Sequence, residues 1–188
     1  TSAGEKQKYG TGSLVGVIDN SGIVKWDKVS VTLAEGSNVE GGFNTGGLIG
    51  QIQTGSVTSN MDTHFAGGRV KTQKGGMGGV IGGMFGGEAT GWLSTYIESE
   101  YSTTDPEYSA LAGSTKGNEC KGVGGVIGQM GDQKTDAGKV VNIYVNTMVL
   151  RFEEDFALLS GTSSVGGVLG QCETINGRID NITVKSMD

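Results

Sequence analysis

The amino-acid sequence predicts an all-β chain folded as a parallel β-solenoid (β-helix) of about five glycine-marked coils, in one domain spanning residues 1–188. Three observations carry this: a seven-residue block recurs five times, a glycine-x-aliphatic signature follows each block, and the segments beyond alternate apolar with polar residues. Of the 188 residues, 36 are Gly and one is Pro. Collagen needs strict Gly-X-Y with abundant Pro, so it is excluded. Glycine loses more entropy on folding than any other residue, so this much of it has to be held in defined places, and repetition supplies them.

The block Gly46-Gly47-Leu48-Ile49-Gly50-Gln51-Ile52 returns as Gly78-Gly79-Val80-Ile81-Gly82-Gly83-Met84, as Gly124-Gly125-Val126-Ile127-Gly128-Gln129-Met130 and as Gly166-Gly167-Val168-Leu169-Gly170-Gln171-Cys172. A weaker first copy is Gly12-Ser13-Leu14-Val15-Gly16-Val17-Ile18. From Gly12 to Gly46, Gly78, Gly124 and Gly166 the successive spacings are 34, 32, 46 and 42 residues, so the repeat is kept while its connections vary, as a solenoid permits. The second signature reads Gly22-Ile23-Val24, Gly55-Ser56-Val57, Gly91-Trp92-Leu93, Gly138-Lys139-Val140 and Gly177-Arg178-Ile179. Beyond it, runs such as Val29-Ser30-Val31-Thr32-Leu33 and Ile182-Thr183-Val184-Lys185 have the period of a strand with one buried face. No segment has a convincing helical period, and residues 151–159 are read as strand or loop.

Coils stacked at about 4.8 Å put equivalent side chains above one another. Two interior ladders follow: Ile18, Ile52, Met84, Met130 and Cys172, and Val24, Val57, Leu93, Val140 and Ile179. The glycines between them, Gly16, Gly50, Gly82, Gly128 and Gly170, are expected at corners where the chain turns.

The tetrads Gly47-Leu48-Ile49-Gly50, Gly79-Val80-Ile81-Gly82, Gly125-Val126-Ile127-Gly128 and Gly167-Val168-Leu169-Gly170, with Ser13-Leu14-Val15-Gly16 as an imperfect copy, resemble the GLUG-type repeats of bacterial surface and secreted proteins. The resemblance covers most of the chain and implies a parallel solenoid in an adhesin-like extracellular protein. It carries no catalytic residues.

A formal net charge of −6 argues against a phosphate-backbone partner, so nucleic acid is not expected. No window approaches the roughly 20 apolar residues of a membrane span. The chain begins at Thr1 rather than Met, which suggests either a removed leader or a trimmed chain, and secretion is the expectation under the first. His64 is the one histidine, and nothing near it marks a nucleophile, so it is read as an ordinary strand residue. Solenoids that cleave polysaccharide gather acids at equivalent positions of neighbouring coils. Here the third position after the block glycine holds Asp19, Gln53, Phe85, Gly131 and Glu173, which is no such cluster. Glu153-Glu154-Asp155 reads as a solvated loop, with no calcium-loop pattern around it. No cofactor or metal is expected, and no phosphate-binding loop is present.

Cys172 falls on the apolar ladder and Cys120 in the connection before the fourth block, so the two need not meet. Asn181-Ile182-Thr183 is a glycosylation sequon that carries little weight alone. Threonines do not fall in one repeat register, which counts against an ice-binding face.

The expectation is a non-enzymatic structural or adhesive module. It stacks end to end through uncapped solenoid edges, on itself or on further repeats, with the variable stretches 99–121 and 149–164 free to meet a cell-surface glycan or protein. A carbohydrate-active or carbohydrate-binding solenoid and an ice-binding protein are the alternatives.

Overall fold

The computed structural model describes residues 9–98, 110–113, 120–131, 142–153, 159–160, 164–173 and 176–187. Coil 1 comprises β1 (Thr11–Gly12), β2 (Val15–Ile18), β3 (Ile23–Ala34) and β4 (Asn38–Gly41). Coil 2 repeats the pattern with β5 (Thr45–Gly46), β6 (Ile49–Ile52), β7 (Ser56–Ala66) and β8 (Arg69–Thr72). Coil 3 has β9 (Gly75–Gly78), β10 (Ile81–Met84), β11 (Gly87–Ile97) and β12 (Leu111–Gly113). Coil 4 has β13 (Cys120–Gly124), β14 (Ile127–Met130), β15 (Asn142–Glu153) and β16 (Leu159–Ser160). Coil 5 has β17 (Ser164–Gly166), β18 (Leu169–Cys172) and β19 (Asn176–Met187).

Equivalent strands stack into four sheets: β1-β5-β9-β13-β17, β2-β6-β10-β14-β18, β3-β7-β11-β15-β19 and β4-β8-β12-β16. Every pairing between these strands is parallel and joins neighbouring coils, as in a parallel β-solenoid of five coils. β7 shows why the sequence makes such a strand. Val57, Ser59, Met61, Thr63 and Phe65 point into the core, and the residues between them, Thr58, Asn60, Asp62 and His64, point outward.

Ile18, Ile52, Met84, Met130 and Cys172 are successive partners in the second sheet. The first four are at most 3% exposed. Cys172 is exposed, because it stands on the outermost rung. The third sheet departs from the expected ladder. Val24 and Val57 are partners, but the next rungs are Ala89 and Val145, followed by Ile179. Leu93 belongs one ladder further along, with Val29, Met61, Met148 and Ile182. Val140 lies outside the described residues, and Val145 holds the fourth rung. The cause is Gly91: with φ of +101° it sits inside β11, while Gly87 occupies the place equivalent to Gly22 and Gly55.

The repeat glycines also differ from expectation. Gly16, Gly50, Gly82, Gly128 and Gly170 lie within strands of the second sheet, and none has a positive φ. They are there because two backbones meet. From the second coil to the fifth, a Cβ on Gly50, Gly82, Gly128 or Gly170 would strike β1, β5, β9 or β13 of the preceding coil, at Thr11, Thr45, Met77 and Val123. In return Gly46, Gly78 and Gly124 face the amide nitrogens of Gly82, Gly128 and Gly170. The first two sheets therefore interlock as two glycine columns with no side chain between them, which is the physical reason for the Gly-x-x-x-Gly spacing of each block.

Between these glycines the chain turns at Leu48, Val80, Val126 and Val168. Each of these carbonyls accepts two backbone N–H groups from the preceding coil, as Val80 does from Leu48 at 3.1 Å and Ile49 at 3.0 Å. One interior polar residue escaped the sequence reading. Asn44, at φ of 38°, donates from Nδ2 to Gln51 Oε1 at 2.8 Å and accepts the Gly76 N–H at 2.7 Å, so its buried amide is satisfied at the corner between coils.

Candidate functional site

Two surfaces stand out. The first is the outermost rung. In coil 5, Val165 is 44% exposed, Ile182 56% and Val184 53%. Their partners one coil inward, Val123, Met148 and Leu150, are at most 1% exposed. The same inward-facing columns are thus buried in the middle of the stack and open at its end.

The second surface is the outer face of the third sheet. Strands of 11–12 residues make it about 36 Å wide. Register arranges its outward side chains in columns along the stack. The middle column, Ser30, Asp62, Ser94, Val149 and Thr183, is made of short side chains. On one side stands the column Lys28, Asn60, Trp92, Thr147 and Asn181, and on the other Thr32, His64, Tyr96, Arg151 and Lys185. A low column between two taller ones is a channel, and a recess of about 490 Å³ lies in it over Asp62, Ser94 and Val149, between Trp92 and Arg151.

The walls are held differently. Trp92 is 61% exposed, and it follows the Gly91 irregularity. β11 carries one residue more than β15 at this point, a bulge of the kind that re-aims a side chain. The Asn60 Oδ1 accepts the Trp92 backbone N–H at 3.1 Å and fixes the turn of the chain. Opposite, the Arg151 Nη2 donates to Asp62 Oδ1 at 3.1 Å and to Ser94 Oγ at 3.2 Å, tying coils 2, 3 and 4 together. Its guanidinium lies 5.6 Å from the Tyr96 ring centroid, and Tyr96 stacks on His64 at 4.8 Å. His64 Nε2 in turn lies 2.8 Å from Glu98 Oε1. The one histidine is therefore part of a wall, within β7.

Beside the channel, Asp180 accepts from the Tyr144 hydroxyl at 2.8 Å and from Arg178 Nε at 2.6 Å. The tyrosine hydroxyl and then the guanidinium hold its carboxyl below the usual carboxylate range. Among the described residues no group of three His, Cys, Asp or Glu side chains is placed to hold a metal ion, and no helix is long and apolar enough to cross a membrane. Cys120 and Cys172 are free thiols, the first buried and the second exposed. Thr58 and Thr90 stack in register and bond at 2.9 Å, but their column continues to Lys25, and the aligned pair Thr63 and Thr95 is buried. No extended exposed threonine row forms among the described residues.

Of all this the sequence reading had the first ladder and the block spacing, and it missed Trp92 and Arg151. The available signal is an exposed-type aromatic in a strand pattern otherwise outward-polar, hidden because Trp92 is the variable residue of the glycine-x-aliphatic signature Gly91-Trp92-Leu93. No protein-family profile, curated protein or solved structure matches the chain.

Proposed function

We propose that the protein is an extracellular structural and adhesive solenoid module whose coils stack end to end, copy upon copy, into a filament or surface fibre. The likeness of its tetrads to GLUG-type repeats of bacterial surface proteins points the same way. The observation that carries the reading is the outermost rung, where Val165, Ile182 and Val184 continue buried columns into solvent. Burying such side chains is worth about 1.5–3 kcal/mol each.

The first coil is a fitting occupant. Laid on coil 5 in the register that the other coils keep, β3 of a following copy would bring Val24 over Ile179, Val29 over Ile182 and Val31 over Val184, each an apolar pair. Lys25 would come to Asp180, an opposite-charge pair. Ile18 would cover the exposed Cys172, and the Leu14 carbonyl would meet the Val168 and Leu169 N–H groups, repeating the corner hydrogen bonds of the inner coils. Main-chain pairing at a sheet edge supplies affinity, and the side-chain pairs supply register.

Sedimentation of the chain over a wide concentration range tests this. The expected result is growth into long species as concentration rises, abolished by the double substitution Ile182→Lys, Val184→Lys and weakened by Lys25→Glu. Both replaced apolar residues are exposed, so the fold is retained in the variant. A chain that sediments as a monomer at every concentration overturns the proposal.

A further inference from the structure

We propose that the channel on the outer face of the third sheet binds an extended acidic polysaccharide, laid along the stacking axis with one of its pyranose rings on Trp92. The backbone of this face is already occupied, because N–H and C=O groups of β3, β7, β11, β15 and β19 pair from coil to coil. A ligand must therefore be recognised by side chains, which disfavours an added peptide strand. What the channel offers instead is one broad exposed indole beside a row of short hydroxyl and amide groups, Ser94, Thr147 and Asn60. A pyranose ring has that complement: an apolar C–H face for the indole and a rim of hydroxyls for the polar groups. The rise of about 4.8 Å from coil to coil is close to the length of one sugar unit in an extended chain, so successive rings meet successive coils.

Charge narrows the class. Although the whole chain carries −6, the three columns of the channel hold Lys28, Arg151 and Lys185 against the single carboxylate Asp62, which is engaged by Arg151. Carboxylated sugars suit that excess. The wall is also rigid in advance, since Arg151 is fixed by two hydrogen bonds and the Tyr96 ring, so little ordering remains for binding to impose. Hydrolysis of a glycosidic bond needs a pair of carboxyl groups flanking it, and Asp62 is the one acid lining the recess among the described residues. The inference is accordingly of a site that holds a glycan.

Calorimetric titration with oligogalacturonate and alginate oligomers, with cellohexaose and polyglutamate as comparators, tests it alongside indole fluorescence. The expected result is binding of at least one uronate oligomer with a shift of the Trp92 emission. Trp92→Ala should weaken that binding at least tenfold, Trp92→Phe should restore part of it, and Lys28→Glu should weaken it. Trp26 is half-buried against the core, so the emission change is assigned by its loss in Trp92→Phe. Trp92 projects into solvent, so its removal leaves the fold intact, as circular dichroism would verify. Binding of neither uronate, equal binding by Trp92→Ala, or equal affinity for cellohexaose or polyglutamate each overturns the proposal.

Discussion

At Gly82 a methyl group would stand 2.5 Å from the Thr45 amide nitrogen and 2.6 Å from the Gly50 carbonyl oxygen, whereas at Gly42 nothing lies within 4 Å. Backbone atoms inside a stacked sheet cannot step aside as a side chain would. Gly82→Ala should therefore cost about 3 kcal/mol or more, at the upper end of overpacking, while Gly42→Ala should be near neutral. Urea denaturation of the two variants checks this, and equal midpoints would remove the glycine interlock as an explanation of the repeat. The two cysteines separate as sharply. Burial pushes the Cys120 thiol from 9.0 up to about 11, by desolvation that a backbone hydrogen bond to Gly122 only partly offsets. Its folded-state pKa is raised, so the stability it contributes is present below about 9 and is lost as pH rises towards 11. A thiol reagent at pH 8 should modify Cys172 alone in the folded, unassembled chain and both cysteines after denaturation.

Within single strands, the sequence and the structure agree where alternation decides the answer. The ladder from Ile18 to Met130 was legible because the block has a fixed length and each apolar residue sits two positions after the block glycine. The neighbouring ladder was not, because its rungs are counted across connections of changing length. Gly91-Trp92-Leu93 imitates Gly55-Ser56-Val57 in residue type, and only the pairing of β11 with β7 shows Ala89 on the rung instead. The groove was invisible for a related reason: Asp62, Ser94 and Arg151 are far apart in the chain and meet through register alone. The Arg151–Asp62 pair is about one-third exposed, at 35% and 26%, so its coupling in a double-mutant cycle with Ala should be about 1 kcal/mol or less. A larger coupling would mean that the arginine fixes the coils more firmly than a partly solvated ion pair can.

For the molecule as a whole, the recurring block and the glycine content pointed to stacked coils, and four parallel sheets are what the chain builds. The number of sheets was not legible, since a strand as short as β16 (Leu159–Ser160) leaves no periodic trace. End-to-end growth, tested by sedimentation, depends on the top coil and the bottom coil presenting matching columns rather than on any one residue.

The bulges on the third sheet have a consequence for how such a stack can change. Between the first two interior ladders of that sheet, β3 holds four residues, β7 and β11 three, and β15 and β19 two, while the columns on either side stay in step. The wall thus absorbs an added or missing amino acid between ladders that stay in register: Trp26 of β3 and Ser59 of β7 fill the interval from within, and β15 and β19 span it with two residues. Variation in chain length can collect on this one wall, each rung altered independently of its neighbours, and the surface that meets the surroundings is free to diversify while the scaffold beneath it keeps its dimensions.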